Sequence, residues 1–525
     1  GCGDENLKRC IASTCAHAGK AGVDADGPAL RGDNGVGGAE REVVVRVHAA
    51  LRFGLQNAVI SLEPVAHAVH IERPAAIGHI DALRAIAFHQ KRLACELFRR
   101  NHMAHHQEAR DIHAEIARNP ASIAKLLTTA AALDHLGSDF TWFTDFYYTG
   151  RIERNQLVGN LHIRGGGDPK FVIERVQEAM QNLLTRGITT IKGNLVLDNS
   201  AFDLPQASAG DFDGEVLRPY NVQPDALMVN FKSVILKFKP NRKKGVAEIV
   251  VEPPMAGLKV PASIPLSKER CGDWRTKIRA TLTQATQYRF AGRYPSACGE
   301  QEWGVAYIDP AAYAGKALLG IWQSVGGRLT GRVTKGHVPV TAKLLYRAPS
   351  LPLRDIIMDV NKFSNNMMAQ QVFLTLAMTP NQPATYDAAR QKIGQWWNRE
   401  MGNRIAAPTI DNGSGLSRDG RITADALVAL LQHAAQHPQF KDFYDSLGIA
   451  GVDGTVSRMG RDGSTPLAIG NARLKTGTLK DVSAIAGYVT GVSGQTYVVV
   501  AMINHENAPK ARTALYQLVE WAAAR

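Results

Sequence analysis

The sequence predicts an α+β protein, with helices segregated on a sheet and one long β-rich insertion splitting that unit. Three observations carry the prediction. Residues 119–143 have the pattern of one amphipathic helix and a loop, and residues 350–445 return to helical spacing in "LPLRDIIMDVNKF", "NMMAQQVFLTLAM", "TYDAARQKIGQWWNREMG" and "TADALVALLQHAAQH". Between them, "NQLVGNLHIRGGGDP", "TTIKGNLVLDNSAFD", "DALMVNFKSVILKFKP" and "GVAEIVVEPP" alternate and are β-branched, with Gly, Pro, Asn and Asp at their ends. The C-terminus reads strand, strand, strand, helix, with "GVSG" as a turn between two of the strands. The expected division is therefore 119–143 plus 336–525 as one unit, and 144–335 as an insertion of two subdomains.

Length and composition bound the function. The chain has 525 residues, 45% hydrophobic and 21% charged, ordinary for a globular protein with real cores. Its net charge of +13 suits an anionic surrounding. No nucleic-acid-reading signature accompanies that charge, so no nucleic-acid partner is expected. No window reaches the ~18 apolar residues of a spanning helix, which leaves at most peripheral membrane contact. The opening "GCGDENLKRC" has acids where a signal peptide would turn apolar, and its first residue is Gly, so the native start is read as missing or altered.

Residues 1–118 differ from the rest. They hold ten of the sixteen His and four of the six Cys, no Trp, no Tyr and three Phe. Aromatics carry much of a core's buried area, so this segment is poorly equipped to fold like the remainder. It reads either as an Ala-rich helical domain, for which "HIDALRAIAFHQKRLACELFRR" has the spacing, or as a non-native or disordered segment such as a shifted reading frame. His102, His105 and His106, with Cys95 nearby, have helical ligand spacing. Without a second ordered pair this is a weak zinc signal, and no metal and no cofactor are predicted.

The chemistry-bearing candidates begin at "RNPASIAKLL". Asn119 is a good helix cap, Pro120 suits the first turn, and Gly137 is a natural stop. Ser122 then lies in the first turn, and Lys125 shares its helix face. A serine hydroxyl is a poor nucleophile until a neighbour takes its proton, and a buried lysine of lowered pKa can do so. Roughly one Ser-x-x-Lys is expected by chance in a chain this long, so the pair alone decides nothing. A second element, "NKFSNNMMAQ", puts Ser364 and Asn366 between two helical stretches, where Ser364 could relay a proton and Asn366 could hold a substrate amide. Read alone, it is as well explained by helix capping. The third, "RLKTGTLKDVSAIAGYV", puts Lys475, Thr476, Gly477 and Thr478 on a strand. A lysine and hydroxyls there suit a free carboxylate, and Gly477 lets an extended peptide approach the strand edge. The N–H after Gly477 could share an oxyanion hole with that of Ser122. "GGGDP" lacks the Lys-Ser/Thr ending of a phosphate loop, which excludes nucleotide binding on that motif.

These elements, in this order, are a known set in penicillin-recognising serine enzymes. The chain resembles the class C low-molecular-mass penicillin-binding proteins, the D-alanyl-D-alanine carboxypeptidase/endopeptidases, from about residue 118 to the C-terminus. "GGGDP" (165–169), "GNLVLDNSAFD" (193–203), "RPYNVQPDALMVN" (218–230), "DNGSGLSR" (411–418) and "AGVDGTVSRM" (450–459) extend the likeness. So does the gap of 239 residues between Lys125 and Ser364, which simple serine β-lactamases lack.

The resemblance implies a β-lactamase/transpeptidase-like fold with its large insertion, a periplasmic location, peptidoglycan stem peptides as substrate and β-lactams as covalent inhibitors. It implies Ser122 as nucleophile, Lys125 as base, Ser364 and Asn366 as relay and clamp, and Lys475, Thr476 and Thr478 as carboxylate site. Arg418 would assist substrate recognition. Asp211, Asp213 and Glu215 read either as a contact for a diaminopimelate amine or, more simply, as a solvated acidic loop. The family often bridges the position of Cys271 and Cys298, worth about 3 kcal/mol in the chain-entropy model and needing an oxidising compartment. Family members also have N-terminal strands that join the sheet. None is identified in 1–117, where "EVVVRVHAALRF" is the nearest candidate. The competing functions are a β-lactamase-like hydrolase, which needs a base poised for water, and an inactive wall-binding scaffold.

Overall fold

The computed structural model describes residues 58–64, 114–402 and 405–525. Cys95, His102, His105, His106 and "EVVVRVHAALRF" lie outside them.

A five-stranded antiparallel sheet forms the centre of the helical unit. Its strands are β1 (Ala58–Pro64), β2 (Gly448–Ile449), β3 (Ala472–Leu479), β4 (Val482–Thr490) and β5 (Thr496–Asn504), in the order β1-β5-β4-β3-β2. β1 pairs with β5 from Ala58–Ile503 to Pro64–Tyr497. A strand from the N-terminal segment therefore joins the sheet, one that the sequence did not identify and that lies outside the candidate stretch "EVVVRVHAALRF". "AVISLEP" is short and ends in Pro, so it carried little alternation to detect.

The sheet is covered on both faces. Ala484, Ala486, Tyr488, Val498, Val500 and Met502 face one core, and Ile485, Val489, Val499, Ala501 and Ile503 the other. The alternation follows from the two-residue period of a strand, and burial on both faces explains why "VSAIAGYV" reads as an almost unbroken apolar run. On the first face lie α1 (Lys125–Leu136), α2 (Leu353–Lys362), α3 (Asn366–Thr375) and α4 (Ala424–Gln436). On the second lies α5 (Arg512–Ala523), through Leu515, Leu518 and Val519. Nine consecutive residues of α1, Lys125–Leu133, are buried, so α1 is the central rod of its layer and carries Lys125 with it.

The insertion leaves and returns side by side. Thr141–Tyr148 pairs antiparallel with Lys343–Pro352, and both strands run past the expected limits of 144 and 335. Adjacent ends let a long insertion sit on the helical unit without parting α1 from α2. A second core there combines Phe238, Trp274 and Tyr294, with Phe238 and Tyr294 stacked 5.4 Å apart, and a Cys271–Cys298 disulfide at its margin. The reading of this region as mostly strands missed two long helices, Ile173–Thr185 and Pro310–Ser324. The second bears a legible start, Asp309 capping the Ala312 N–H and Pro310 in the first turn.

One buried side chain ties the insertion to the site. Gln371 of α3 donates to the Gly167 and Asp225 carbonyls at 3.3 and 2.9 Å and accepts from the Asp225 N–H at 3.2 Å. Gly165 packs against the Ala226 carbonyl so closely that a Cβ would lie 2.2 Å from it. The "GGGDP" and "RPYNVQPDALMVN" loops are thereby held together and set on α3.

Candidate active site

Ser122 sits in a strained turn. Ala121–Ala124 is a 3-10 turn, and the α-helix begins only at Lys125, one turn later than the capping pattern suggests. Ala121 has φ +46°, a conformation L-residues rarely adopt. Its N–H donates to the Asn119 side-chain carbonyl at 2.8 Å. Its own carbonyl abuts Gly415, where a Cβ would stand 1.8 Å away. Asn504, the last residue of β5, clamps Asn119 by accepting its N–H at 2.8 Å and donating to its carbonyl at 3.0 Å. The Asn119 amide donates to the Ser417 carbonyl at 2.8 Å. Two distant segments therefore fix the turn that presents Ser122.

Lys125 is fully buried, with its Nζ 2.9 Å from Ser122 Oγ, 2.7 Å from Asn366 Oδ1 and 2.5 Å from the Ser414 carbonyl. Burial, and then the charge of Lys475, push its pKa well below the ordinary lysine value. A neutral lysine amine has two N–H bonds and one lone pair. Asn366 Oδ1 and the Ser414 carbonyl can only accept, so they take the two N–H bonds. The lone pair is left facing Ser122, whose hydroxyl can donate to it. The packing thus aims the base as well as lowering its pKa.

Lys475, also fully buried, donates to Ser364 Oγ at 2.9 Å and to the Thr476 carbonyl at 2.7 Å. Burial lowers its pKa to about 7. Ser364 has φ +57° in the short link between α2 and α3, and Asn365 caps α3 by accepting from the Met368 N–H at 3.1 Å. Asn366 is the first residue of α3, not a loop residue, and its amide donates to the Tyr220 carbonyl at 3.2 Å. Gly477 faces the Ser122 turn: a Cβ there would lie 2.6 Å from the Pro120 carbonyl and 3.1 Å from the Ser122 nitrogen. Thr476 Oγ1 donates to Thr455 Oγ1 at 2.7 Å, and Thr478 is exposed on the same strand.

Seven of the nine candidates, Ser122, Lys125, Ser364, Asn366, Lys475, Thr476 and Gly477, are linked by these bonds and close approaches. Thr478 follows on β3. Arg418 stands on a different footing: it is exposed, pairs with Asp481 at 2.8 Å and stacks over the Phe212 ring at 4.7 Å. Asp211, Asp213 and Glu215 are exposed in the loop carrying Phe212. The Asp213 carboxylate is already engaged by Tyr220 at 2.8 Å and Asn221 at 2.6 Å.

Sequence reasoning missed Ser414, Tyr220, Thr455 and Asn504. Three of them lie in stretches that had been singled out, "DNGSGLSR", "RPYNVQPDALMVN" and "AGVDGTVSRM", but Ser414 and Tyr220 act through main-chain carbonyls, which no side-chain pattern reveals. Asn504→Ala removes both bonds to the Asn119 backbone and is expected to cost about 2 kcal/mol, read as an earlier midpoint in chemical denaturation. An unchanged midpoint would mean that the Gly415 contact alone holds the turn.

The sequence profile of the D-Ala-D-Ala carboxypeptidase 3 (S13) family matches residues 92–525. The D-alanyl-D-alanine carboxypeptidase DacB of Haemophilus influenzae is 26% identical over 388 residues, 73% of this chain and 80% of that protein. The D-alanyl-D-alanine carboxypeptidase of Actinomadura sp. strain R39 is 27% identical over 421 residues, 76% of each. The crystal structure of penicillin binding protein 4 (dacB) from Haemophilus influenzae superposes with a TM-score of 0.63, at 24% identity, over 79% of this chain and 92% of that one. That likeness shows the fold, an α+β arrangement of the penicillin-binding type. The chain belongs to the D-Ala-D-Ala carboxypeptidase 3 (S13) family.

Proposed function

We propose that Ser122 is the nucleophile of this serine D-Ala-D-Ala peptidase and Lys125 its general base. The chain is a serine-type D-Ala-D-Ala carboxypeptidase/endopeptidase acting on peptidoglycan. Ser122 Oγ bonds to the carbonyl carbon of the penultimate D-Ala while its proton passes to Lys125 Nζ. The C–N bond then breaks, and the departing amine receives a proton through Ser364, leaving an ester on Ser122. Water hydrolyses that ester and restores the hydroxyl. Asn366 holds the substrate amide. Lys475, with the hydroxyls of Thr476 and Thr478, receives the terminal carboxylate, while Gly477, expected from sequence to admit the peptide, instead makes room for the Ser122 turn against β3. Arg418, at the rim with Phe212, meets the substrate side chain or carboxylate. Stem peptides are the substrate and β-lactams enter the same site as covalent inhibitors.

The observation that carries this reading is the Lys125 amine, buried, low in pKa and 2.9 Å from Ser122 Oγ. The β-lactamase alternative needs a carboxylate or equivalent base for water. Among the described residues no carboxylate bonds Ser122, Lys125, Ser364 or Lys475. A periplasmic location is the compartment in which the Cys271–Cys298 bridge persists. Among the described residues no helix is long and apolar enough to cross a membrane.

Mass spectrometry of the penicillin-treated protein tests the nucleophile. One adduct is expected, on the peptide containing Ser122, persisting for minutes or longer and absent in Ser122→Ala. An adduct elsewhere, or fast penicillin turnover, overturns the assignment.

The pH profile tests the two lysines. Lys125 acts as a base only when neutral, and burial and then the Lys475 charge lower its pKa well below the ordinary lysine value, whereas Lys475 binds a carboxylate only when charged. The acid limb of kcat/KM therefore belongs to Lys125 losing its proton, and the alkaline limb to Lys475 losing its charge near pH 7. Lys475→Arg keeps the charge and should shift the alkaline limb upward while leaving the acid limb. An unmoved alkaline limb would remove Lys475 from the carboxylate site.

A further inference from the structure

One end of the inserted sheet that contains strand Ser233–Asn241 gathers six exposed cations, five of them without a carboxylate partner among the described residues. Strands Ser233–Asn241 and Val246–Glu252 are joined by a turn carrying Arg242, Lys243 and Lys244. The Gly245 carbonyl of that turn accepts from the Leu266 N–H at 2.9 Å, which brings Lys268 and Arg270 beside it. Leu266 pairs in turn with Tyr294, and Arg293 enters at the same edge with its guanidinium 3.5 Å from the Leu266 carbonyl. Cys271 follows Arg270 directly, and its bridge to Cys298 fixes the loop on this end.

All six side chains are exposed, and only Lys244 has a carboxylate partner among the described residues, Glu248 at 3.0 Å. The neighbouring Glu269 is taken by Lys277, at 3.0 Å. Several unpaired like charges within a Debye length of one another repel, so the end presents a strong positive field to solvent.

This end lies away from Ser122. Strand Ser233–Asn241 starts beside Lys232, which pairs at 2.9 Å with Asp225, the residue that Gln371 of α3 holds. It then runs outward for nine residues, roughly 27 Å at the usual strand rise. Its surface carries no apolar anchor: the exposed large hydrophobic of these strands is Val250, further back along its strand. Insertion into a bilayer interface calls for aromatic or aliphatic side chains beside the cations. A hydrated polymer bearing carboxylates does not.

We propose that this basic end is a docking surface for peptidoglycan as a polyanion, separate from the cleft and holding the insoluble substrate while the cleft works on its peptides. The proposal rests on the reading of the chain as a peptidoglycan peptidase.

The test uses the full chain and the variant Arg242→Glu/Lys243→Glu/Lys268→Glu/Arg270→Glu, sedimented with purified insoluble peptidoglycan at low and high salt. Labelled-penicillin acylation and hydrolysis of a soluble D-Ala-D-Ala peptide are measured alongside. The wild type should sediment in a salt-sensitive way. The variant should bind on the order of tenfold less and cleave the insoluble polymer more slowly, with acylation and soluble-peptide hydrolysis unchanged. Should charge reversal impair acylation, the milder Arg242→Ser/Lys243→Ser pair must still reduce sedimentation with acylation intact. Sedimentation equal to wild type in an acylation-competent variant, or binding that ignores salt, overturns the proposal. So does wild-type binding to vesicles of phosphatidylglycerol and phosphatidylethanolamine without binding to peptidoglycan. Failure of the parent reading looks different: a wild-type chain that takes no penicillin label at all.

Discussion

The site depends on a buried lysine amine that is surrounded by acceptors and yet disfavoured as a cation. Lys125 has no solvent to stabilise a charge, and the second buried amine, Lys475, raises the cost further. Two acceptors that cannot donate occupy its N–H bonds, so its lone pair has one place to point. Each of the surrounding structures can be understood as a device for keeping that arrangement. α1 is buried along nine residues, which holds Lys125 in a dry layer. The 3-10 turn before it tightens the approach of Ser122. The Asn119–Asn504 clamp and the close contact of Gly415 with Ala121 sustain a backbone conformation that would otherwise relax.

The second constraint is topological. Lys125, Asn366, Ser414 and Lys475 come from four places in a chain whose middle third is an insertion. Pairing Thr141–Tyr148 with Lys343–Pro352 closes that insertion on itself, so that α1 and α2 pack together. Gln371 then uses the insertion constructively. It fixes, through Asp225, the loop that contains Tyr220, whose carbonyl orients the Asn366 amide. With its amide nitrogen turned to the Tyr220 carbonyl, Asn366 turns its oxygen to Lys125. The insertion thus takes part in setting the base, beyond being tolerated beside it.

The sequence made the α+β class legible, because "VSAIAGYV", "QTYVVVAMINH" and the terminal helix carry strong local periods. It also made most of the polar residues around Ser122 legible, because each of the three motifs sits at an element boundary that local chemistry marks. What it hid falls into two kinds. The Ser414 and Tyr220 contributions are main-chain carbonyls, and their positions depend on packing between segments far apart. β1 and the two inserted helices were missed for a different reason. β1 gains its place from pairing with β5, and Ile173–Thr185, with Val176, Met180 and Leu183 buried at helical spacing, lies in a region whose strands dominated the reading.

The protonation state of Lys125 itself reports most directly on this arrangement. In a selectively 15N-lysine-labelled protein titrated over pH, with Lys125→Met used to assign the signal, Lys125 Nζ should become a neutral amine well below the ordinary lysine range. A Lys125 signal that stays that of an ammonium up to the ordinary lysine range would contradict the account, since no lone pair would then face Ser122.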